Sequence, residues 1–184
     1  MAAVSVFDIF KIGIGPSSSH TVGPMKAAKA FATSVADQPV ASIKVTLFGS
    51  LAWTGKGHGS DSAVLLGLAG HEPESVDPDA VDSILQEIRS DGRYEIEFNY
   101  ERELGRHTNG MTFAALDEQG NLLVQDNFFS LGGGFIARND DPEGGSHEQE
   151  PPLPFSSSAS LLELAASKDL SIAELILKNE QTWR

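Results

Sequence analysis

Cysteine is absent from this 184-residue chain. Its absence excludes a disulfide framework, a thiol nucleophile and any cysteine-ligated zinc or iron–sulfur centre held by this chain alone. Apolar runs are also short, and none approaches the roughly eighteen residues that a membrane span requires. The first residues, MAAVSVFD, lack the basic start and long apolar stretch of a signal peptide. We therefore expect a cytoplasmic protein with no membrane partner.

Positive charge is scarce as well. The chain has 13 Lys and Arg residues against 26 Asp and Glu residues, which gives a formal net charge of −13. Nucleic acids and anionic membranes bind proteins that present a basic face. The composition therefore predicts no nucleic-acid partner. The hydrophobic fraction of 40% is enough for one compact domain with an apolar core.

Apolar patterns along the chain predict an α+β fold. Strand patterns occur at residues 42–48, 94–100, 111–116 and 122–129. Helical patterns begin at Pro24, Ser62, Asp79, Ser157 and Ser171. The last two strands are separated by a turn that contains Gly120, which predicts a β-hairpin. We expect a mixed or antiparallel sheet of four to six strands with helices packed on it.

Three further segments complete the prediction. Residues 4–10 are a short apolar stretch, expected as a strand or a helical turn, and the glycines of residues 131–135 are expected to close the hairpin region. The composition changes to Asp, Glu, Gly, Ser and Pro at residues 138–155, which predicts an acidic flexible linker.

The first candidate site is GPSSSHTVGP at residues 15–24, directly before a helical stretch. A helix start offers unpaired N–H groups and a partial positive charge, so it favours anions. The hydroxyl groups can cap the helix or bind a carboxylate. These hydroxyls belong to Ser17, Ser18, Ser19 and Thr21, with the imidazole of His20 among them. The alternative is a capped turn with spare serines.

Two other segments place a histidine beside glycine. GKGHGSD at residues 55–61 predicts a glycine-rich loop that leaves His58 sterically open, and it matches neither a phosphate-binding nor a dinucleotide-binding motif. RHTNG at residues 106–110 predicts a turn that carries His107 and Asn109. Each segment can also be an ordinary turn with an incidental histidine.

The three histidines of these segments permit a shared site for proton transfer near pH 7. The spacing of His20, His58 and His107 matches no metal-binding motif. We therefore expect no metal bound by this chain alone.

Four segments closely resemble the bacterial iron–sulfur L-serine dehydratases. They are SVFDIFKIGIGPSSSHTVGPM at residues 5–25, TGKGHGSD at 54–61, HTNGM at 107–111 and GGGF at 132–135. The resemblance covers nearly the whole chain. It implies three parts: a serine dehydratase beta domain at 1–137, the linker at 138–155, and the helical start of a catalytic α domain at 156–184.

The resemblance implies an L-serine ammonia-lyase of amino-acid catabolism and gluconeogenesis. Such an enzyme converts L-serine to pyruvate and ammonia with a 4Fe-4S cluster held by cysteines of the α domain, without pyridoxal phosphate, and a homodimer is expected. Because this chain has no cysteine, we interpret it as an excised N-terminal piece or as a separate β subunit. The chain by itself is expected to be inactive.

The resemblance also suggests roles for the site residues. It makes Ser17, Ser18, Ser19 and Thr21 candidates for binding the substrate carboxylate. It makes His20, His58 and His107 candidates for substrate contact or proton transfer, with His58 preferred as the base. Lys56 and Asn109 are further candidate substrate contacts.

A regulatory function is the alternative. The same segments resemble an allosteric substrate-binding module of some phosphoglycerate dehydrogenases, which senses a ligand without chemistry. An adjoining cysteine-containing region would favour the lyase, whereas an adjoining Rossmann domain would favour the sensor.

Overall fold

The computed structural model describes Ser5, residues 10–139, Asp141 and residues 151–182. The chain divides into two compact units, one formed by residues 11–143 and the other by residues 1–10 with 144–184. The strand or helical turn predicted at 4–10 lies outside the described residues except for Ser5 and Phe10, as do residues 140 and 142–150 of the predicted linker.

The larger unit contains a sheet and four α-helices among its described residues. Its strands are β1 (Ser42–Phe48), β2 (Tyr94–Asn99), β3 (Gly110–Leu116), β4 (Leu122–Gly132) and β5 (Phe135–Arg138). Its helices are α1 (Gly23–Ser34), α2 (Gly49–His58), α3 (Ser60–Leu68) and α4 (Val81–Asp91). A π-helical turn (Ser18–Val22) leads into α1, and a 3-10 turn (Pro78–Ala80) precedes α4.

The five strands form one mixed sheet in the order β2-β1-β3-β4-β5. Strand β1 pairs in parallel with β2 and antiparallel with β3, and the remaining pairs are antiparallel. Each predicted strand is present, and Gly120 in the β3–β4 turn has a φ of 79°. The predicted α+β fold with a mixed sheet of four to six strands is confirmed.

The alternation of buried and partly exposed residues along β1 shows which face of the sheet the helices cover. Ile43, Val45 and Leu47 are buried against the helices, while the residues between them point to the other face. Phe31 of α1 stacks on Phe113 of β3 with ring centroids 5.2 Å apart. Helices α1 and α3 therefore cover the same face of the sheet and bury a common apolar core.

The prediction of a loop at residues 55–61 is wrong for most of that segment. Helix α2 continues to His58, and Gly59 caps it with a φ of 73°. Tertiary packing overrides the poor helix propensity of glycine here. A Cβ at position 55 would lie 2.7 Å from a ring carbon of Phe98, so only glycine fits against β2. Helix α3 begins at Ser60, and Gly59 precedes it without a side-chain cap.

The glycine cluster at residues 131–135 leads into an additional strand. Gly132, Gly133 and Gly134 all have positive φ values, and the chain turns there from β4 into β5. The sequence pattern did not predict β5 because it is only four residues long and follows three glycines.

The second unit contains two short helices among its described residues, α5 (Ser158–Ser167) and α6 (Ile172–Glu180). Ser157 and Ser171 each accept a backbone hydrogen bond in a capping box. These are the two helices predicted to begin at Ser157 and Ser171. Throughout the described part of the chain, no helix has the length and apolar character needed to cross a membrane.

Candidate functional site

The π-helical turn Ser18–Val22 directly precedes α1. The N–H of Gly23 donates to the carbonyl of Ser18, five residues earlier. The backbone N–H and the hydroxyl of Thr21 both donate to the carbonyl of Ser17, at 2.9 and 2.6 Å. Such turns are rare in proteins and occur often at functional sites.

Hydroxyl and imidazole groups form a continuous chain of hydrogen bonds from this turn to α2. The Ser17 and Ser19 hydroxyl oxygens lie 3.1 Å apart, and that of Ser19 lies 2.9 Å from Nδ1 of His20. On the other side of the ring, Nε2 of His20 lies 3.1 Å from the hydroxyl of Ser50. Both imidazole nitrogens are therefore paired with hydroxyl groups, and a proton can be relayed along the chain.

Ser50 was not among the residues predicted from the sequence. It follows Gly49, which has a φ of 53° where β1 turns into α2. A glycine and a serine after an apolar strand are typical of a turn, but only the folded arrangement brings Ser50 to His20.

His20 and His58 face each other in an edge-to-face arrangement, with ring centroids 5.0 Å apart and an interplanar angle of 82°. Helix geometry explains how α2 contributes both Ser50 and His58. Together with Thr54, they occupy positions i, i+4 and i+8, which lie along one ridge of a helix. Nδ1 of His58 is buried and has no hydrogen-bond partner within the described part of the chain.

The pKa of His20 is lowered, chiefly because burial disfavours the charged imidazolium and also because a positive charge on His58 would repel it. The side chain is almost fully buried, with 9% of its surface exposed. His20 is therefore neutral near pH 7 and can accept a proton from a neighbour.

The lowered pKa of His20 predicts that stability falls as the solution becomes acidic. The unfolded chain binds the proton more tightly than the folded chain, so stability is complete above the unfolded pKa of about 6.5 and is lost as the pH falls below it. We expect the urea midpoint to drop more steeply toward acid in the wild type than in His20→Gln. Parallel midpoint curves for the two proteins would contradict this linkage.

Asn109 lies in the loop beside the start of α2. The backbone N–H of Ser50 donates to the carbonyl of Thr108 at 3.0 Å, and a Cβ at Gly49 would lie 2.2 Å from the same oxygen. Asn109 is buried, and its Nδ2 donates to the carbonyl of Ser130 at 3.2 Å. A carbonyl acceptor at this position fixes the orientation of the amide group. Its Oδ1 is left without a partner among the described residues.

Ser130 lies between Asn109, which bonds to its carbonyl, and the π-helical turn. A Cβ at Gly23 would lie 2.1 Å from the Ser130 hydroxyl oxygen, so β4 lies directly against the junction of the turn and α1. The hydroxyls of Ser130 and Ser60 are also buried without a hydrogen-bond partner in the described residues. Unpaired buried polar atoms are uncommon in folded proteins, and each one is a candidate contact for a ligand.

The structure brings four of the predicted site residues together. Ser17, Ser19, His20 and His58 form one cluster, and Ser18 is half-buried at the start of the turn. His107 accepts a hydrogen bond at Nδ1 from the backbone N–H of Asn109, two residues away. Lys56 is exposed, and its Nζ lies over the Phe98 ring, 5.6 Å from the centroid.

A surface groove of about 780 Å³ lies elsewhere on the larger unit. Lys26 in the groove pairs with Glu74 at 2.7 Å, and Lys29 pairs with Glu72 at 2.5 Å. Because glutamates neutralise these lysine charges, the groove attracts an anion less strongly than the hydroxyl-rich turn does. Within the described residues, no group of three or more His, Asp or Glu side chains is placed to hold a metal ion.

Comparison with known proteins finds a matching family model and several related sequences. A family model described as Serine dehydratase beta chain matches residues 5–141. An L-serine dehydratase of Streptomyces coelicolor is 43% identical over 204 residues, which cover 99% of this chain and 45% of the relative. L-serine dehydratase 2 of Escherichia coli is 40% identical over 198 residues, which cover 96% of this chain and 43% of the relative. An L-serine dehydratase of Helicobacter pylori is 36% identical over 202 residues, which cover 100% of this chain and 44% of the relative. The chain thus spans less than half the length of these relatives.

Proposed function

The chain belongs to the serine dehydratase beta chain family, and we propose that it forms the substrate-binding part of an L-serine dehydratase. The complete enzyme would convert L-serine to pyruvate and ammonia. The observation that supports this proposal most directly is the His20–His58 pair, in which both ring nitrogens of His20 are paired with serine hydroxyls. The relatives described above carry dehydratase names, which favours the lyase over the regulatory alternative.

We assign the substrate carboxylate to the hydroxyls of Ser17, Ser18 and Ser19. They surround the start of a helix, where N–H groups and the helix dipole favour a negative charge. Thr21 has a supporting role in this proposal, because its hydroxyl donates to the carbonyl of Ser17 and so fixes the loop.

The substrate ammonium group is assigned to Asn109. An ammonium group carries three donors and needs acceptors, and Oδ1 of Asn109 is a buried acceptor without a partner in the described residues. The amide is held in this orientation by its bond to the Ser130 carbonyl. His107 positions the same loop through its bond to the Asn109 N–H, and Lys56 remains a further candidate contact.

His58 is proposed as the base that removes the Cα proton. Its Nδ1 is buried, so we assign the accepting lone pair to Nε2. The electrons of the Cα–H bond form a double bond to Cβ as the hydroxyl group leaves, with a proton, as water. The resulting enamine takes up water and yields pyruvate and ammonia. Neutral His20 can accept a proton and pass it to the hydrogen-bonded hydroxyls of Ser19 and Ser17.

The resemblance implies a 4Fe-4S cluster that assists the departure of the hydroxyl group, and no pyridoxal phosphate. The residues of this chain do not fit such a cluster, because cysteine is absent. We therefore propose that any ligands to it lie on an α half, in the same chain or in a separate subunit. A homodimer and a cytoplasmic location remain predictions.

A crystal of the complete enzyme soaked with L-serine tests the proposal. We expect density beside Ser17–Ser19, with the carboxylate facing the hydroxyls and the ammonium group facing Asn109. The complete enzyme should form pyruvate from L-serine in a coupled assay, whereas this chain alone should form none. Serine density at a distant site, or a complete enzyme that forms no pyruvate, would reject the assignment.

A further inference from the structure

Helix α2 has one polar and aromatic face, on which Trp53, Thr54 and Gly57 are exposed while Ser50 and His58 are half-buried. Its members occupy positions i, i+3, i+4, i+7 and i+8, the spacing of a single helix face, and are Ser50, Trp53, Thr54, Gly57 and His58. We call this set the outer face of α2. The opposite side of the helix is buried in the larger unit through Leu51, Ala52 and Gly55.

Two exposed aromatic rings in contact with each other, and a third that is partly buried, adjoin this face. Trp53 is 70% exposed, and its ring lies 5.2 Å from that of Tyr100, which is 46% exposed. Tyr100 in turn stacks on Phe98, with centroids 6.4 Å apart. Single exposed apolar residues are ordinary on a protein surface, whereas a contiguous aromatic patch marks an interaction site.

Gly57 is the second independent feature of the outer face. It lies in the last turn of α2 with no positive φ, and a Cβ at this position would meet no atom within 4 Å. Glycine at a helical position is less stable than alanine. Gly55, two residues earlier and in the buried face, is required by its contact with Phe98, but no contact within the described residues requires glycine at position 57. Close approach by another polypeptide would explain it.

We propose that the outer face of α2, together with Tyr100, is the surface that the remaining half of the enzyme covers. The inference rests on the proposed function. The matched relatives are more than twice as long as this chain, since it covers 43–45% of their lengths. The same face contains His58 and Ser50, so a partner seated on Trp53 and Gly57 would enclose the candidate site and exclude water from it.

Photo-crosslinking in the complete enzyme tests the location of this surface. The phenyl ketone amino acid p-benzoylphenylalanine would replace Trp53 in one variant and Leu122 in a matched control, because Leu122 is also an exposed apolar residue, at 56%, but lies on β4. We expect crosslinks from position 53 to peptides of the remaining half, identified by mass spectrometry, and none to that half from position 122. Crosslinks from position 53 to a second copy of the same face, or to no part of the remaining half, would overturn the proposal.

Substitution of Gly57 gives the second readout. Gly57→Leu in the complete enzyme should lower both the crosslinking yield from position 53 and kcat/KM by about tenfold or more, the scale of losing a central interface residue. Leu122→Ser should change neither. An unchanged crosslinking yield in Gly57→Leu would overturn the docking surface. If the complete enzyme does not act on L-serine, the proposed function fails, while the crosslinks still decide which surface is covered.

Discussion

We expect His58→Gln in the complete enzyme to lower kcat for pyruvate formation by about 10²- to 10⁴-fold, the usual contribution of a general base, because His58 is the proposed base. Glutamine retains a polar side chain of similar reach, but its amide cannot accept a proton near pH 7. The KM for L-serine should change little, because the carboxylate and the ammonium group are assigned to other residues. Steady-state kinetics with the purified variant measures both parameters.

His71→Gln is the matched control for this experiment. His71 follows α3, where its backbone N–H donates to the carbonyl of Leu66, and it takes no part in the hydroxyl chain of His20. Its kcat should therefore equal that of the wild type. If the absorbance of the proposed 4Fe-4S cluster is normal in His58→Gln and its turnover is also near normal, His58 is not the base.

Gly67→Ala produces the largest expected loss of stability. A Cβ at position 67 would lie 2.1 Å from the carbonyl oxygen of Met25 and 2.8 Å from Cβ of Ala28. Both contacts are with α1, so the two helices must separate. Overpacking of this kind costs about 1–3 kcal/mol or more, which exceeds the gain of about 0.5–1 kcal/mol from replacing a helical glycine with alanine.

Urea unfolding of the variant and the wild type, followed by circular dichroism, measures this loss. Gly105→Ala is the matched control, because a Cβ there meets no atom within 4 Å and the position has no positive φ. The control should change the free energy of unfolding by less than about 0.5 kcal/mol. Equal free energies of unfolding for the two variants would show that α1 and α3 are not in close contact at Gly67.

Much of the sheet could be predicted because its patterns are local. The alternation of Ile43, Val45 and Leu47 indicates a strand with one buried face, and Gly120 indicates the turn between β3 and β4. The extent of α2 could not be predicted in this way. Gly55 and Gly57 disfavour a helix when considered as isolated residues, and the contact that favours helix there is with Phe98, more than forty positions later.

Only the part of the candidate site that lies within one sequence segment could be predicted, because only that pattern is local. Ser17, Ser19 and His20 are close in sequence, so their clustering is visible in one segment. Ser50 and Ser130 are not, because each reaches the site through strands and turns whose arrangement is set by the whole fold.

The five-residue π-helical turn before α1 sets the direction of the His20 side chain separately from the direction of the buried face of α1. An α-helix advances by about 100° per residue. Losing one residue between His20 and Gly23 would turn His20 by that angle about the helix axis, away from Ser50, while the buried side of α1 stayed in register. The position of His20 beside Ser50 therefore depends on the extra residue that the π-helical turn contains.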